Sequence, residues 1–100
     1  MLDEFKLRKQ SEQGSKAKTV LDSEPFQNAY SAVRAAIIES WENCPIRDRE
    51  GAHELKLLLK LHTDILGHLK KAVEDGKFAA EELKRDRTFT QRLAERLRVM

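Results

Sequence analysis

Three histidines and one cysteine are the first candidates in this 100-residue chain for binding a metal ion or acting as a nucleophile. His53, His62 and His68 are separated by nine and six residues, and an α-helix of about 3.6 residues per turn directs each neighbouring pair to different sides. A zinc ion requires three or four ligands that converge on one point. The spacing therefore predicts no metal site. For His62, which falls within an apolar stripe, it favours the role of a core histidine with satisfied hydrogen bonds.

Cys44 is the only cysteine, so the chain can form no internal disulfide, which is typical of proteins from reducing compartments. It precedes Pro45 at the predicted end of a helix, on the apolar side of that helix. The partial negative charge at a helix C-terminus disfavours a thiolate there. We therefore interpret Cys44 as a packing residue rather than a nucleophile.

Carboxylates are plentiful, as at Glu39, Glu42, Asp64, Glu81 and Glu82, but charged residues make up 36% of the chain. In helices of this composition, neighbouring carboxylates usually form a solvated face rather than an acid–base pair. The chain also contains no glycine-rich phosphate loop and no serine in a strand-to-helix turn motif. The sequence thus predicts a protein that is not an enzyme, with no catalytic residue, cofactor or small-molecule substrate.

The elements that carry these residues are predicted to be helices, because the chain has only four glycines and two prolines but many charged residues. Ser23-Glu24-Pro25 is a helix start, since serine caps free backbone amides and proline is tolerated in the first turn. Apolar residues then recur every three or four positions, at Phe26, Tyr30, Val33, Ile37, Trp41 and Cys44. Pro45 ends the pattern, which predicts a first helix over about 24–44.

A second helix is predicted over about 49–75, with Asp48 as its cap and Asp75-Gly76 as its end. Its apolar stripe includes Leu55, Leu58, Leu59, His62, Ile65, Leu66 and Leu69. Because the connector is short, the two helices are expected to form an antiparallel hairpin, with residues 23–76 as the central domain. Gly67 lies within the second helix, where we expect it to let a neighbouring helix approach closely.

Two flanking segments complete an all-α fold in this interpretation. Residues 1–22 form an N-terminal arm that is expected to be partly helical. Residues 77–100 form a basic amphipathic region with one helix over 79–86 and another over about 89–99, either separate or merged. This region contains seven basic and four acidic residues, although the whole chain has a net charge of only +2.

The basic side chains of the C-terminal region have two interpretations. They either form a solvated helix face, balanced by Asp86 and Glu95, or contact the phosphates of a nucleic acid. The candidate contacts are Lys84, Arg85, Arg87, Arg92, Arg96 and Arg98. The sequence shows neither a helix-turn-helix signature nor the interleaved aromatic and basic residues of stacking proteins. Nucleic-acid binding is therefore the alternative function and not the first choice.

The second helix carries more apolar surface than one neighbouring helix can cover. Leu58 and Leu59 lie side by side, as do Ile65 and Leu66, and further leucines lie off the centre of the stripe. The sequence therefore predicts that the chain forms a homo-oligomer or binds a partner protein. The candidate interface residues are Leu57, Leu58, Leu61, Leu66 and Phe78.

The apolar runs are short, so the sequence predicts no membrane span and no membrane partner. The charged residues Asp3 and Glu4 near the N-terminus, with no apolar run behind them, are unlike a signal peptide. We therefore expect the chain to reside in the cytoplasm of the cell that makes it.

Several short segments together resemble a known group of proteins. They are Pro25-Phe26-Gln27-Asn28-Ala29-Tyr30, Arg47-Asp48-Arg49-Glu50-Gly51, Leu57-Leu58-Leu59-Lys60-Leu61, His68-Leu69 and Gly76-Lys77-Phe78-Ala79. Over residues 19–83 the chain resembles short helical proteins of tailed bacteriophages and prophages, whose genes often lie in the head and DNA-packaging cluster near the portal. The resemblance implies a phage origin, a place in virion assembly or head structure, and other virion proteins as partners in the host cytoplasm or the virion. It implies no enzymatic activity and no functional residue.

Overall fold

The computed structural model of the chain describes residues 3–99, which form three α-helices and no strand. These are α1 (Glu4–Leu21), α2 (Glu24–Glu42) and α3 (Arg49–Val99). The prediction of an all-α fold is therefore confirmed. The molecule measures 81 × 27 × 15 Å, because α3 alone has 51 residues and a rise of about 1.5 Å per residue makes it nearly as long as the whole particle.

Each helix begins at a residue whose side chain accepts a hydrogen bond from a free backbone amide. Asp3 Oδ1 accepts from the Phe5 amide at 3.1 Å, and Ser23 Oγ accepts from the Phe26 amide at 3.5 Å. Asp48 Oδ1 accepts from the Gly51 amide at 2.9 Å. The starts of α2 and α3 thus agree with the predicted caps. The end of α2 lies at Glu42, two residues before the predicted end.

The N-terminal arm is more helical than expected, because α1 continues through Gly14 from Glu4 to Leu21. The backbone of Gly14 lies directly against α3, so tertiary contact compensates for the low helix propensity of glycine. An exposed pair between Arg8 Nη2 and Glu4 Oε1, 2.8 Å apart, adds a small local contribution.

The predicted helix end at Asp75-Gly76 is wrong, because α3 continues without interruption from Arg49 to Val99. Gly76 does not adopt the positive φ of a helix C-cap but stays helical and contacts α1. The predicted helices over 79–86 and 89–99 are accordingly parts of one helix. The hydroxyls of Thr88 and Thr90 donate to carbonyls one turn earlier, at 2.9 and 2.8 Å, so these polar residues are accommodated within it.

Helices α1 and α2 lie one after the other along α3, and both run antiparallel to it. Tyr30 of α2 contacts His62 in the first half of α3. Gly14 of α1 contacts Gly76 in the second half, and Glu4, at the start of α1, shares a cleft with Thr90 and Ala94. The short segment Asp22-Ser23 connects the two helices. The fold is thus two helices deep along its whole length.

Such a thin arrangement leaves little of the chain buried. The buried apolar side chains of the described residues are Leu7, Ala17 and Ala79, and His62 is the buried polar one. The accessible surface is 8825 Å², whereas a compact monomer of 11.6 kDa exposes about 5,800 Å². The radius of gyration is 22.1 Å, whereas about 13 Å is expected for a compact chain of this length.

Candidate protein-interaction surface

Helix α1 is held to α3 by a close crossing of two glycines. A Cβ atom added to Gly14 would lie 2.6 Å from Gly76 Cα and 2.8 Å from the Ala72 carbonyl oxygen. A Cβ atom added to Gly76 would lie 2.7 Å from Gly14 Cα. Only glycine allows the backbones to approach so closely, and the buried Ala17 and Ala79 lie one turn away on either helix.

Sequence reasoning assigned this kind of approach to the wrong glycine. At Gly67 an added Cβ would have no neighbouring atom within 4 Å, so no helix approaches there. The signal for the true crossing was present as small residues at helical spacing, Ala72, Gly76 and Ala79 on α3 and Gly14 and Ala17 on α1. The apparent helix end at Asp75-Gly76 concealed it.

Helix α2 is held to α3 by an aromatic contact. The rings of Tyr30 and His62 are stacked, with centroids 3.8 Å apart and planes inclined by 24°. The ring centroid of Phe26 lies 5.9 Å from that of Tyr30. Tyr30 Oη also donates to the His62 carbonyl oxygen at 2.9 Å. The buried position predicted for His62 is confirmed. The expectation of satisfied hydrogen bonds is wrong, because neither Nδ1 nor Nε2 has a partner among the described residues.

The five candidate interface residues occupy three different environments. Leu57, Leu58 and Leu61 are exposed on the first half of α3. Leu66 is half-buried in the same stretch. Phe78 is exposed more than two turns further along, beside Leu7 and a group of charged and polar side chains. The structure therefore brings together only the first three, and Ile65, which the prediction omitted, lies among them.

These leucines share one side of the molecule with part of α2. When two helices run antiparallel, consider how far each side chain is rotated about its helix axis from the direction of the partner helix. Residues of the two helices that are rotated in the same direction lie on the same side of the pair. Leu58, Leu61 and Ile65 are turned roughly 40–100° to one side of His62, and Val33 is turned roughly 60° in the same sense from Tyr30. Arg34 Nη1 and Thr63 Oγ1 are turned the other way and are hydrogen-bonded at 3.0 Å, which identifies the opposite side.

We call this side the apolar face. Its members are between 48% and 61% exposed, and they are Val33, Leu57, Leu58, Leu61 and Ile65. Ala29 and Ala36 are exposed on the same side of α2. Small residues at this position allow a further layer of helices to pack close to α2. The apolar face is therefore shaped for helix packing and offers no group for chemistry.

The opposite side contains a small apolar cleft between the end of α2 and the start of α3. Its volume is about 300 Å³, and it is lined by Ile37, Ile38, Trp41, Leu55, Lys56 and Leu59. A ligand site generally combines an apolar cavity with several convergent polar groups. In this cleft, Lys56 is the only charged or polar lining side chain.

The basic side chains at the end of α3 are all exposed, but they do not converge on one surface. The helical repeat places Arg85, Arg92 and Arg96 on one side. It places Arg87 and Arg98 on another, whereas Lys84 lines the same cleft as Arg85, Phe89 and Arg92. Phe89 is exposed between Arg85 and Arg92, an interleaving that sequence reasoning missed. Arg85 Nη1 also pairs with Glu82 Oε1 at 3.2 Å, which reduces the charge available on that side.

Possible reactive groups remain dispersed in the part of the chain that the structure describes. No three His, Cys, Asp or Glu side chains of residues 3–99 are grouped so that they could hold a metal ion. The Cys44 thiol is half-buried, and its Sγ lies 3.7 Å from the Asp48 carbonyl oxygen, to which it donates weakly. None of the described helices contains a stretch that is both long and apolar enough to cross a membrane.

The apolar face thus leaves five large aliphatic side chains about half exposed in a single chain. Comparison with protein-family models, with curated proteins and with solved structures finds no match for the chain.

Proposed function

We propose that this chain is a non-enzymatic structural or assembly accessory protein of a phage virion, acting through helix-mediated contacts in the head, portal or packaging apparatus. The observation that carries the interaction role is the apolar face on the α2–α3 half of a molecule that is only two helices wide and one helix thick. The phage context rests on the resemblance of residues 19–83 to short helical phage proteins. In this proposal the predicted hairpin of residues 24–44 and 49–75 is the unit that presents the interface.

The exposed apolar area of the chain favours a partner. Burial of apolar surface stabilises a protein by about 25 cal/mol per Å², and monomers rarely leave a large contiguous apolar patch in water. The apolar face has five large aliphatic side chains with about half of each exposed. A second layer of helices would bury them, as it does in a helical bundle. A partner protein therefore supplies stabilisation that one chain cannot supply by itself.

Quantitative mass spectrometry of purified particles tests this function. Particles and assembly intermediates from the phage or induced prophage that encodes the chain would be separated by density, and the copy number of the chain determined in each. We expect a fixed number of copies per particle or per intermediate. Absence of the chain from both fractions, with the chain abundant in the host cytoplasm, would contradict the proposal.

A second candidate function is nucleic-acid binding in packaging or regulation through the basic end of α3. The observation in its favour is the stripe of Arg85, Arg92 and Arg96 with Phe89 exposed among them, since such a stripe can contact phosphates and stack a base. Arg87 and Arg98 lie on another side and would not contribute to the same contact, whereas Lys84 borders the stripe.

A further inference from the structure

We infer that the partner covering the apolar face is a second copy of this chain, which packs antiparallel across a two-fold axis passing close to Leu61. The inference rests on the proposed function for its premise that the apolar face is an interface, and it goes further by naming the occupant. Two such layers, each two helices wide and one helix thick, form a four-helix bundle at the α2–α3 end.

One chain leaves a large area exposed. The excess over a compact monomer of the same mass is about 3,000 Å². A stable interface of standard size buries about 800 Å² on each partner. The excess is therefore large enough for a homodimer interface of standard size.

The apolar face is self-complementary. On α3 its large side chains extend from Leu57 to Ile65, with Leu61 at the midpoint. A two-fold axis at Leu61 places Leu57 opposite the partner's Ile65 and Leu61 opposite the partner's Leu61. On α2, Val33 is one turn from Tyr30, which contacts His62, so Val33 lies near the level of the same axis. The apolar stripes of both helices are thus centred at one level, as an isologous contact requires.

The polar residues at the ends of this stripe are also complementary. Glu54 and His68 each lie seven residues from Leu61, which is two helical turns, and so they are on nearly the same side of α3. The antiparallel arrangement places Glu54 opposite the partner's His68 at both ends, where the carboxylate accepts a hydrogen bond from the imidazole. A parallel arrangement would instead place Glu54 opposite the partner's Glu54, which is repulsive.

The other half of the same side of the molecule is not suited to this contact. Beside α1 it carries a cleft of charged and polar residues, with Lys6, Lys71 and Asp75 around Phe78. Desolvating these charges would cost more than the single phenyl ring contributes. The contact is therefore confined to the α2–α3 half, and the two α1 helices project from opposite ends of the dimer.

Light scattering coupled to size-exclusion chromatography of the full chain is the primary test. We expect a particle of twice the 11.6 kDa chain mass for the unmodified protein. Leu61→Glu places a charge on the axis and should weaken the dimer by about 30-fold or more. Leu97→Glu is the matched control, because Leu97 is 65% exposed and Leu61 is 61% exposed on the same helix. A monomeric unmodified chain, or equal effects of the two variants, would overturn the inference.

Cross-linking tests the position of the axis independently. In a Cys44→Ala background, Leu61→Cys should form a disulfide-linked dimer on mild oxidation, whereas Leu97→Cys should not. Circular dichroism shows whether each variant remains helical. If Leu61→Cys does not fold, Lys60→Cys replaces it, and if Leu61→Glu does not fold, Leu61→Ser replaces it. Efficient cross-linking at position 97 with none at position 61 would place the contact elsewhere and reject the inference.

A charge exchange tests the antiparallel direction. Glu54→Lys should weaken the dimer because it removes the hydrogen-bond acceptor opposite the partner's His68, and the double variant Glu54→Lys/His68→Glu should restore it, because opposite charges then face each other. Equal weakening by the double variant would reject the arrangement.

A chain that is monomeric when purified but present in virions rejects the inference and leaves the proposed function standing. A dimeric chain that is absent from particles and intermediates rejects the proposed function and leaves the dimer inference standing.

Discussion

Gly14 of α1 and Gly76 of α3 lie with their backbones in contact, so that a Cβ atom on the first would be only 2.6 Å from the Cα atom of the second. This contact joins the N-terminal helix to the second half of a 51-residue helix. Much of the buried surface of the chain lies beside it, at Leu7, Ala17 and Ala79. The crossing therefore lies at the centre of the packing between α1 and α3.

Replacing either crossing glycine by alanine should destabilise the protein, although alanine has the higher helix propensity. The methyl group would meet the opposing backbone at 2.6 or 2.7 Å, and moving a helix apart costs about 1–3 kcal/mol, more than the gain of about 1 kcal/mol from propensity. Urea unfolding followed by circular dichroism at a fixed protein concentration measures the change. Gly67→Ala is the control and should stabilise, because open space surrounds that position. A stabilising Gly76→Ala would contradict the close crossing.

His62→Phe should raise the free energy of unfolding. Both ring nitrogens of His62 are buried and have no hydrogen-bond partner among the described residues, whereas a phenyl ring retains the stacking on Tyr30 without that penalty. A buried unsatisfied polar group costs about 1–3 kcal/mol, and we expect a gain at the lower end because phenylalanine is somewhat larger. The same substitution at the exposed His53 should leave the stability within about 0.5 kcal/mol. A loss of stability at position 62 alone would show that the imidazole is required.

Tyr30→Phe should weaken the attachment of α2 to α3 without removing the aromatic contact. The variant loses the hydrogen bond from Tyr30 Oη to the His62 carbonyl oxygen, at 2.9 Å, while the ring is kept. We expect a loss of about 0.5–1.5 kcal/mol. Hydrogen exchange should then accelerate in α2 more than in α1, because α1 is held separately at the glycine crossing. Equal acceleration in both helices would indicate that α1 and α2 separate from α3 as one unit.

The nucleic-acid alternative makes a prediction of its own, since the six basic side chains do not all lie on one side of α3. If the stripe with Phe89 binds single-stranded DNA, replacing Arg85, Arg92 and Arg96 by glutamine should reduce the slope of log affinity against log salt by about 2. The comparison variant replaces Arg87 and Arg98 by glutamine and should change the slope much less. Fluorescence anisotropy at several salt concentrations measures both. Identical behaviour of the two variants would exclude a specific binding face.

The helical nature of the chain and the starts of two helices could be predicted from the residues themselves. Ser23 and Asp48 act within one turn of chain, because a capping side chain needs only the amides that follow it. The same local logic failed at Asp75-Gly76, where the residue types suit a helix end equally well. Contact with Gly14, more than sixty residues away, keeps Gly76 helical, and no local pattern reports such a contact.

The candidate surface was predictable in kind and not in extent. The width of the apolar stripe on α3 indicated that one neighbouring helix could not cover it, and Leu57, Leu58 and Leu61 are exposed. Which side of the stripe remains open depends on the direction from which α2 approaches. That direction is determined by the stacking of Tyr30 on His62, which turns Ile65 outward and Leu66 inward.

By itself the sequence determined that the chain is helical, where α2 and α3 begin, and that the apolar stripe of α3 is too wide for one partner helix. These properties follow from periodicity and capping, which act over a few residues. Only the tertiary structure decided that α3 continues to Val99, that α1 crosses it at two glycines, and which leucines remain exposed. These depend on contacts between residues distant in sequence, whose energies exceed the local preferences that they override.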